Sequence, residues 1–314
     1  MKRRQFVKNL LLATAAMSAP HIWIKRSSAE EDLFKLTLLQ TNDTHSRIDP
    51  FPMDGGRNQG LGGIARRASL IKEIRRQNPN TLLVDGGDTL QGTPYFNLYG
   101  GQIEFETMTK CGYDASTLGN HEFDNGVDAL ANVLQYAKFD MVNCNYALDG
   151  SPLKSIIKQY TLKQVGPIKV GITGVGIDFV DLVAEKNHEG VSYLPPFERV
   201  QATVNHLRNQ QGCDLIVVLS HLGYKYSDES TPSDIQLAQR VNGIDWIVGG
   251  HTHTFMDKPL LIKSIDGYPT NILQVGWAGI NLGKTDFYFR DNQLVSIDSR
   301  RMIIDRDTEK YLHA

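Results

Sequence analysis

Five short polar segments of the sequence combine carboxylate, imidazole and amide side chains, and each directly follows an apolar run. Their chemistry-bearing residues are Asp43 and His45, then Asp88, then Asn120 and His121, then His221, and finally His251 and His253. Five of the nine histidines of the chain belong to this set. Imidazole, carboxylate and amide oxygen, without thiolate, form a mixed ligand set that suits zinc, manganese, iron, cobalt or nickel. These segments therefore predict a metal centre.

The set contains more ligand-type side chains than one catalytic metal requires, because three protein ligands and a water are typical of such a site. Two metal ions that share a bridging ligand would use the surplus. A carboxylate is the natural bridge, since its oxygens carry several lone pairs. The residues thus favour a two-metal centre over a single ion.

Each segment also has a simpler structural explanation. Asp88 could cap the helix that follows, Asn120 could serve a left-handed turn, and His221 could be a buried core histidine. The pair His251 and His253 could bind one structural metal. The occurrence of ligand-type residues at five separate strand ends is what favours the metal centre.

Apolar, strand-like runs alternate with helical patterns through most of the chain, and these elements must position the polar segments. Strands are predicted at Phe34–Leu39, Thr81–Val84, Ala115–Leu118, Met141–Cys144, Leu215–Leu219 and Ile244–Val248. Helices are predicted at Ile64–Arg76, Ile103–Cys111, Val127–Lys138, Phe197–Asn209 and Asp234–Val241.

The remaining segments complete a single predicted domain over residues 33–305. Residues 155–175 predict a hairpin, residues 258–298 at least three further strands in antiparallel continuation, and residues 299–314 a charged tail. This order of elements favours an α/β fold in which two layered mixed sheets have helices on their outer faces. Ligands of open α/β sheets bind beyond the carboxyl ends of the strands, so the polar segments are expected to converge there.

The order of the motifs resembles that of the calcineurin-like metallophosphoesterases: Asp-x-His, Gly-Asp, Gly-Asn-His-Glu, a single His and Gly-His-x-His. Thr41–His45, Gly87–Pro94 and Gly119–Asp124 are similar, more narrowly, to the 5′-nucleotidase / UDP-sugar hydrolase branch. The similarity extends over about residues 33–298. It implies a four-layer αββα sandwich of two mixed β-sheets flanked by helices, with two divalent metal ions (Mn, Zn, Co or Fe) as cofactors.

The same resemblance assigns each polar residue a role. It places the candidate ligands in three sets: Asp43, His45 and His253 on the first metal, Asp88 as the bridge, and Asn120, His221 and His251 on the second metal. In this branch Gln or Asn often occupies the position of His253. Glu122 receives no assigned role, and we expect it to support a ligand.

His121 and Asp124 are the predicted catalytic pair. The resemblance implies that His121 faces the phosphate and pairs with Asp124. A spacing of three residues at the start of a helix places both side chains on one side. A carboxylate bonded to the imidazole fixes its tautomer and favours its charged form. The implied reaction is hydrolysis of nucleotides or related phosphate esters by attack of metal-activated water on phosphorus.

The first residues of the chain predict a targeting segment, and we exclude residues 1–29 from the fold. Lys2–Lys8 is positively charged, and Arg3-Arg4-x-Phe6-x-Lys8 resembles a twin-arginine export signal. Asn9–Ile24 is too weakly apolar for a stable membrane span. We therefore expect an exported, periplasmic protein, the alternative being a basic disordered tail.

Composition restricts the partners and the classes of function. A formal net charge of −2 gives no basic footprint for nucleic acid. Three widely spaced cysteines form neither a disulfide framework nor a CxxC metal site, and are expected to be buried and apolar. The expected substrate is a small-molecule phosphoester, in particular a nucleotide.

Nucleotidases of the resembling branch usually carry a further C-terminal domain that binds the nucleobase, and this sequence is expected to lack it. Either a separate polypeptide supplies that domain, which is the favoured interpretation, or the substrate is smaller than a nucleotide. Two alternative functions stay open. One is a thiosulfohydrolase-like enzyme on the same scaffold, with two manganese ions, and the other is a non-catalytic metal-binding subunit.

Overall fold

The computed structural model describes residues 33–311, so the predicted export segment lies outside the described residues. The first seven strands are β1 (Phe34–Thr41), β2 (Thr81–Asp85), β3 (Ala115–Ser116), β4 (Asp140–Met141), β5 (Tyr146–Ala147), β6 (Tyr160–Val165) and β7 (Ile168–Gly176). The others are β8 (Ser192–Tyr193), β9 (Leu215–His221), β10 (Trp246–Gly249), β11 (Leu260–Lys263), β12 (Pro269–Leu273), β13 (Asn281–Arg290) and β14 (Gln293–Ile303). The α-helices are α1 (Ile64–Gln77), α2 (Pro94–Tyr99), α3 (Gln102–Cys111), α4 (Val127–Leu134), α5 (Pro196–Asn209) and α6 (Asp234–Arg240).

Most of these strands form two six-stranded sheets, and both sheets are mixed. The first has the order β14-β13-β1-β2-β3-β4, and the second has the order β11-β12-β10-β9-β7-β6. In the first, β1 to β4 are parallel and β13 is antiparallel to β1. In the second, β7, β9, β10 and β12 are parallel, with β6 and β11 antiparallel at the edges.

Alternating side chains place one apolar layer between the sheets and one on each outer face. In β9, Leu215, Val217 and Leu219 pack with β1 residues in the layer between the sheets, whereas Ile216 and Val218 pack in the cluster that includes residues of α5 and α6. A third cluster joins residues of α1, α3 and α4 to the outer face of the first sheet. The predicted fold, two mixed β-sheets flanked by helices, is confirmed.

Several predicted element boundaries are wrong. The predicted strand at Met141–Cys144 is the two-residue β4, followed by an isolated bridge from Val142 to Lys158. The helix predicted to reach Lys138 ends at Leu134. Beyond this end, the Thr109 hydroxyl of α3 accepts a hydrogen bond from the Lys138 N–H and donates one to the Tyr136 carbonyl oxygen.

The C-terminal region also differs from its prediction. β12 pairs in parallel with β10, so the antiparallel continuation holds only for β11, β13 and β14. The predicted charged tail is partly ordered structure, because β14 continues to Ile303 and a 3₁₀ turn occupies Arg306–Tyr311. β14 is an edge strand whose side chains are mostly exposed or half-buried, so charged residues occur along it at little cost.

The three cysteines meet the simpler expectation. Cys111, Cys144 and Cys213 are buried and unpaired, as predicted. Among the helices of residues 33–311, none has the length and apolar character needed to cross a membrane.

Candidate metal centre

The loops that follow five strands bring all the predicted ligands to one place. Asp43 and His45 follow β1, Asp88 follows β2, and Asn120 follows β3. From the second sheet, His221 ends β9, and His251 and His253 follow β10. Two groups result, Asp43, His45 and His253 in one, and Asp88, His221 and His251 in the other. Within each group the potential ligand atoms lie within 4.8 Å of one another.

Distances within the first group are those of side chains that converge on one point. The Nε2 atoms of His45 and His253 are 2.9 Å apart. His253 Nε2 lies 3.5 Å from Asp43 Oδ1. His45 Nε2 is also 4.0 Å from Asp88 Oδ2, so the two groups are neighbours with Asp88 between them.

The second group gains Asn120 through a direct contact. His221 Nε2 lies 3.0 Å from Asp88 Oδ2, and Asn120 Oδ1 lies 2.9 Å from His251 Nδ1. Burial, reinforced by the charge of His221, lowers the pKa of His251 to about 4, so its imidazole is neutral and has a lone pair to donate. Each of the seven predicted ligands is therefore in one of two adjacent clusters.

Backbone carbonyls set the tautomers of two imidazoles. His45 Nδ1 lies 3.2 Å from the Leu90 carbonyl oxygen, and His221 Nδ1 lies 2.8 Å from that of Gly86. A carbonyl oxygen only accepts, so each Nδ1 carries the proton and each Nε2 is directed to the centre as a potential ligand. This is the outer hydrogen bonding typical of metal-binding histidines.

Most of the ligand candidates have a left-handed backbone. Positive φ angles occur at Asp43 (50°), His45 (48°), Asp88 (53°), His251 (70°) and His253 (51°). Residues with a Cβ rarely adopt this conformation, and it persists where surrounding structure enforces it, often at functional sites. The loops after β1 and β2 enforce it together, since the Asp43 N–H donates to Gly87 O (2.9 Å) and the His45 N–H donates to Asp88 O (3.1 Å).

The residues present fit divalent metal ions. His221 Nε2 is buried, and although Asp88 Oδ2 lies 3.0 Å away, their geometry is not that of a hydrogen bond, so this nitrogen has no hydrogen-bond partner within the described residues. Burial opposes its protonation, but the Asp88 charge outweighs burial and raises the pKa of His221 to about 10, so this position favours a positive charge. A Cβ on Gly119 would lie 2.6 Å from His221 Nε2 and would collide with Asp88, so only glycine leaves this space open.

Glu122 supports the loop of the predicted bridging residue. Its carboxylate accepts from the backbone N–H groups of Gly119 (2.6 Å), Asp88 (3.0 Å) and Thr89 (2.7 Å). Burial, together with the nearby Asp88 charge, raises the pKa of Glu122 to about 7, while these backbone donors oppose the increase. The residue without an assigned role therefore holds the loops after β2 and β3 against each other.

His121 and Asp124 lie beside the two clusters and belong to neither. His121 Nδ1 is 2.9 Å from Asp124 Oδ2, and this hydrogen bond is the main cause of a raised pKa of His121. The His121 N–H donates to Asp88 Oδ1 (2.9 Å), which fixes the residue against the second cluster. Its imidazole is half-buried and reaches solvent, in contrast to the buried His221.

Comparison with known proteins agrees with this geometry. Residues 36–255 match the family described as Calcineurin-like phosphoesterase. The chain belongs to this family. It is 32% identical over 297 residues to the snake venom 5′-nucleotidase of Crotalus adamanteus, covering 87% of this chain and 49% of that relative. This phosphoesterase chain thus spans about half the length of the curated relatives it matches.

Solved structures are also similar to this chain. The 5′-nucleotidase precursor of Thermus thermophilus superposes with a TM-score of 0.78 and 32% identity, covering 88% of this chain and 55% of that one. A sulfate thiohydrolase of Thermus thermophilus superposes with a TM-score of 0.72 and 21% identity, covering 88% and 59%. The second likeness shows the phosphoesterase fold alone.

Sequence analysis missed two residues that pack against the candidate ligands. Asn42 Nδ2 donates to Asp43 Oδ2 (2.6 Å) and to Gly276 O (2.6 Å), so it orients a ligand candidate. Its position inside the Thr41–His45 motif was a signal that could have found it. Trp277 stacks on His253, with ring centroids 5.6 Å apart and planes 7° apart. No motif marks Trp277, because only the folding of a distant loop places it there.

Proposed function

We propose that this chain forms the catalytic part of an exported phosphoesterase that hydrolyses nucleotides or related phosphate esters with two divalent metal ions. The observation that carries the proposal is the pair of adjacent ligand clusters with Asp88 between them and the His121–Asp124 pair alongside. The nucleotidase names of the relatives support nucleotides as the substrate class.

The proposed ligand assignment follows the two clusters. Asp43, His45 and His253 would hold one ion, Asn120, His221 and His251 would hold the other, and Asp88 would serve both. Mixed nitrogen and oxygen ligands suit Mn, Zn, Co or Fe. When bound, the ions supply an activated water and neutralise negative charge on the phosphate.

The chain's own residues provide the proton chemistry. Hydrolysis breaks the P–O bond to the leaving group and converts the ester and water to an alcohol and inorganic phosphate. In our proposal Asp124 holds His121 in its charged form, and His121 donates a proton to the departing oxygen. The half-buried position of His121 allows it to reach a substrate that enters from solvent.

A substrate panel with metal titration tests the proposal. Hydrolysis would be measured with added Mn²⁺, Co²⁺ or Zn²⁺, as inorganic phosphate released from AMP and p-nitrophenyl phosphate and as the mononucleotide formed from UDP-glucose and 2′,3′-cyclic AMP. We expect turnover of at least one monoester, lost on chelation. Turnover of none of these substrates would overturn the proposal and would favour the thiosulfohydrolase-like or the non-catalytic alternative.

Export and a partner polypeptide are further parts of the proposal. The twin-arginine motif supports export to the periplasm, and fractionation of cells that produce the full chain would test it. A separate polypeptide with a nucleotide-binding domain stays a prediction. A pull-down from native extract that recovers no nucleotidase-like subunit would contradict it.

A further inference from the structure

A series of stacked and edge-on rings leads from His121 past the first cluster to residues outside it. The His45 ring centroid lies 5.4 Å from that of His121 and 4.9 Å from that of His253. Trp277 stacks nearly parallel on His253 at 5.6 Å. Phe51 meets Trp277 edge-on at 5.8 Å, and the series therefore continues beyond the ligand candidates.

Arg47 completes this arrangement. Its guanidinium carbon lies 4.2 Å above the centroid of the Phe51 ring, within the range of a cation–π interaction. We call Arg47, Phe51 and Trp277 the aromatic wall. All three side chains are half-buried, so each keeps a surface open to solvent. None belongs to either ligand cluster.

The loop that carries Trp277 is tied directly to the residues of the first cluster. The Ala278 N–H donates to the Asp43 carbonyl oxygen (2.7 Å), and the Gly276 N–H donates to Thr254 O (3.0 Å). Gly276 O accepts from Asn42 Nδ2 (2.6 Å), and the same amide group orients Asp43. Trp277 is therefore held in position by the backbone of the metal centre.

The backbone of Phe51 is held by a different loop from the one that carries Trp277. Its N–H donates to Leu61 O (2.8 Å), and its carbonyl oxygen accepts from the Gly60 N–H (2.9 Å). A wall whose backbone is hydrogen-bonded and whose side chains pack against one another loses little conformational freedom when a ligand binds. Rigid aromatic side chains next to a phosphoester site are suited to stacking on a planar group of the substrate.

We propose that the aromatic wall is the leaving-group subsite of this enzyme and favours planar aromatic leaving groups, with Trp277 and Phe51 as the stacking surfaces. The proposal rests on the proposed function, because it assigns a place to the part of the substrate beyond the phosphate. The planar group that stacks there has two possible sources: the base of a nucleotide, or an aryl group attached directly to phosphate. The positive charge of Arg47 makes this side of the site favourable for anionic esters.

The test compares kcat/KM of Trp277→Ala and Phe51→Ala with the wild type on three substrates. These are p-nitrophenyl phosphate, AMP and glycerol 2-phosphate, whose leaving group has no ring. Loss of stacking is expected to lower kcat/KM roughly 5- to 100-fold on at least one aromatic substrate. Turnover of glycerol 2-phosphate should change by less than about threefold. Loss confined to AMP identifies base stacking, and loss confined to the nitrophenyl ester identifies direct aryl stacking.

Two further variants and a metal assay separate stacking from support of His253. Trp277→Phe keeps a flat ring and should recover most of the activity, whereas Trp277→Leu keeps bulk alone and should not. The bound metal content of both Trp277 variants should equal that of the wild type. Phe197→Ala is the matched control, since Arg240 lies 4.9 Å above the Phe197 ring in another part of the molecule.

The outcomes distinguish this inference from the proposed function. A wild type that releases phosphate while the Trp277 and Phe51 variants lose activity equally on all three substrates would overturn the subsite. Unchanged turnover of both aromatic substrates would overturn it as well. A wild type inactive on every phosphoester under all three metals would instead overturn the proposed function, and the subsite with it.

Discussion

At the scale of single residues, the site combines side chains suited to metal binding with backbone conformations that are costly. Asp43, His45, Asp88, His251 and His253 each have a positive φ angle. Such a conformation costs up to about 1–3 kcal/mol for a residue with a Cβ, so the loops are not arranged for stability. We interpret this free-energy cost as a consequence of directing these side chains toward the two clusters.

Replacing the residue between the two clusters should affect both of them. We predict that Asp88→Asn lowers kcat by more than about 100-fold, because even the loss of outer partners of a metal site costs about 10–100-fold. Metal analysis of the purified variant should show less than the full complement of bound ions. Full metal content together with normal turnover would exclude Asp88 as the bridge.

Replacing His121 should separate proton transfer from metal binding. We predict that His121→Ala reduces turnover by roughly 10²–10⁴-fold, the usual contribution of a general acid, with both ions retained. Asp124→Asn should produce a smaller loss, since the imidazole stays in place. Stoichiometric loss of metal from His121→Ala would show that this residue is a ligand instead.

At the scale of elements, short contacts between loops keep the strand ends in register. The clearest case is Glu122, whose carboxylate accepts from the loops after β2 and β3 at once. A single buried side chain thus aligns loops from two neighbouring parallel strands. Sequence reasoning could expect a supporting role for Glu122 but not its partners, since they depend on how the loops are folded.

The Glu122 contacts predict a defined effect of substitution. Glu122→Gln keeps the size but replaces one accepting oxygen with an NH₂ donor that faces backbone N–H groups. We predict a loss of about 10–100-fold in metal affinity or activity. Metal titration followed by phosphate release would measure it, and values equal to those of the wild type would show that the loops hold their positions without the carboxylate.

A second contact between elements predicts how stability depends on pH. Burial disfavours ionisation of Asp140 on β4, but hydrogen bonds from Lys158, Lys163 and Thr161 outweigh it and hold the pKa of that carboxyl well below its usual range. A depressed pKa in the folded state stabilises the protein above the unfolded-state pKa of about 4, and this contribution is lost as the pH falls below it.

Asp140→Asn should therefore be less stable than the wild type at pH 7, with the difference shrinking as the pH falls below about 4. Urea unfolding at a series of pH values would measure it. Lys154→Met is a matched control, because the partner of Lys154, Asp149, is an exposed residue. A difference that stays constant down to pH 3 would contradict the charged role of Asp140.

At the scale of the whole molecule, the site exists only because two sheets pack face to face. Asp43 and His45 follow a strand of the first sheet, while His253 follows a strand of the second, yet all three contribute to one cluster. The buried layer of Leu36, Leu38, Val217 and Leu219 holds these two strand edges together. Metal ions bound at the edge would add a further connection between the sheets.

Metal removal should consequently weaken the fold as well as the activity. A ligand that binds only the folded state stabilises it by about 2.7 kcal/mol at 100 times its Kd, which corresponds to several degrees of Tm for a domain of this size. We predict a lower Tm after chelation and recovery when Mn²⁺ or Zn²⁺ is restored. The Asp88→Asn variant should show a smaller shift, and an equal shift in both proteins would argue against binding at these clusters.

The sequence by itself determined the elements and the residues available for chemistry. Long apolar runs such as Leu215–Leu219 and amphipathic helices such as Ile64–Arg76 were predictable, because hydrophobic periodicity is a local property. The placement of ligand-type residues directly after five strands was also local. These patterns were sufficient to predict two mixed sheets, helices outside them and the family resemblance.

The tertiary structure decided everything that depends on contacts between distant parts of the chain. The parallel pairing of β12 with β10, the shortness of β4 and the ordered strand in the supposed tail all follow from neighbours that sequence periodicity cannot specify. The same is true of Glu122 holding two loops and of Trp277 stacking on His253. Their partners are far apart in sequence or arranged by turns, so only the packing of the two sheets could bring them together.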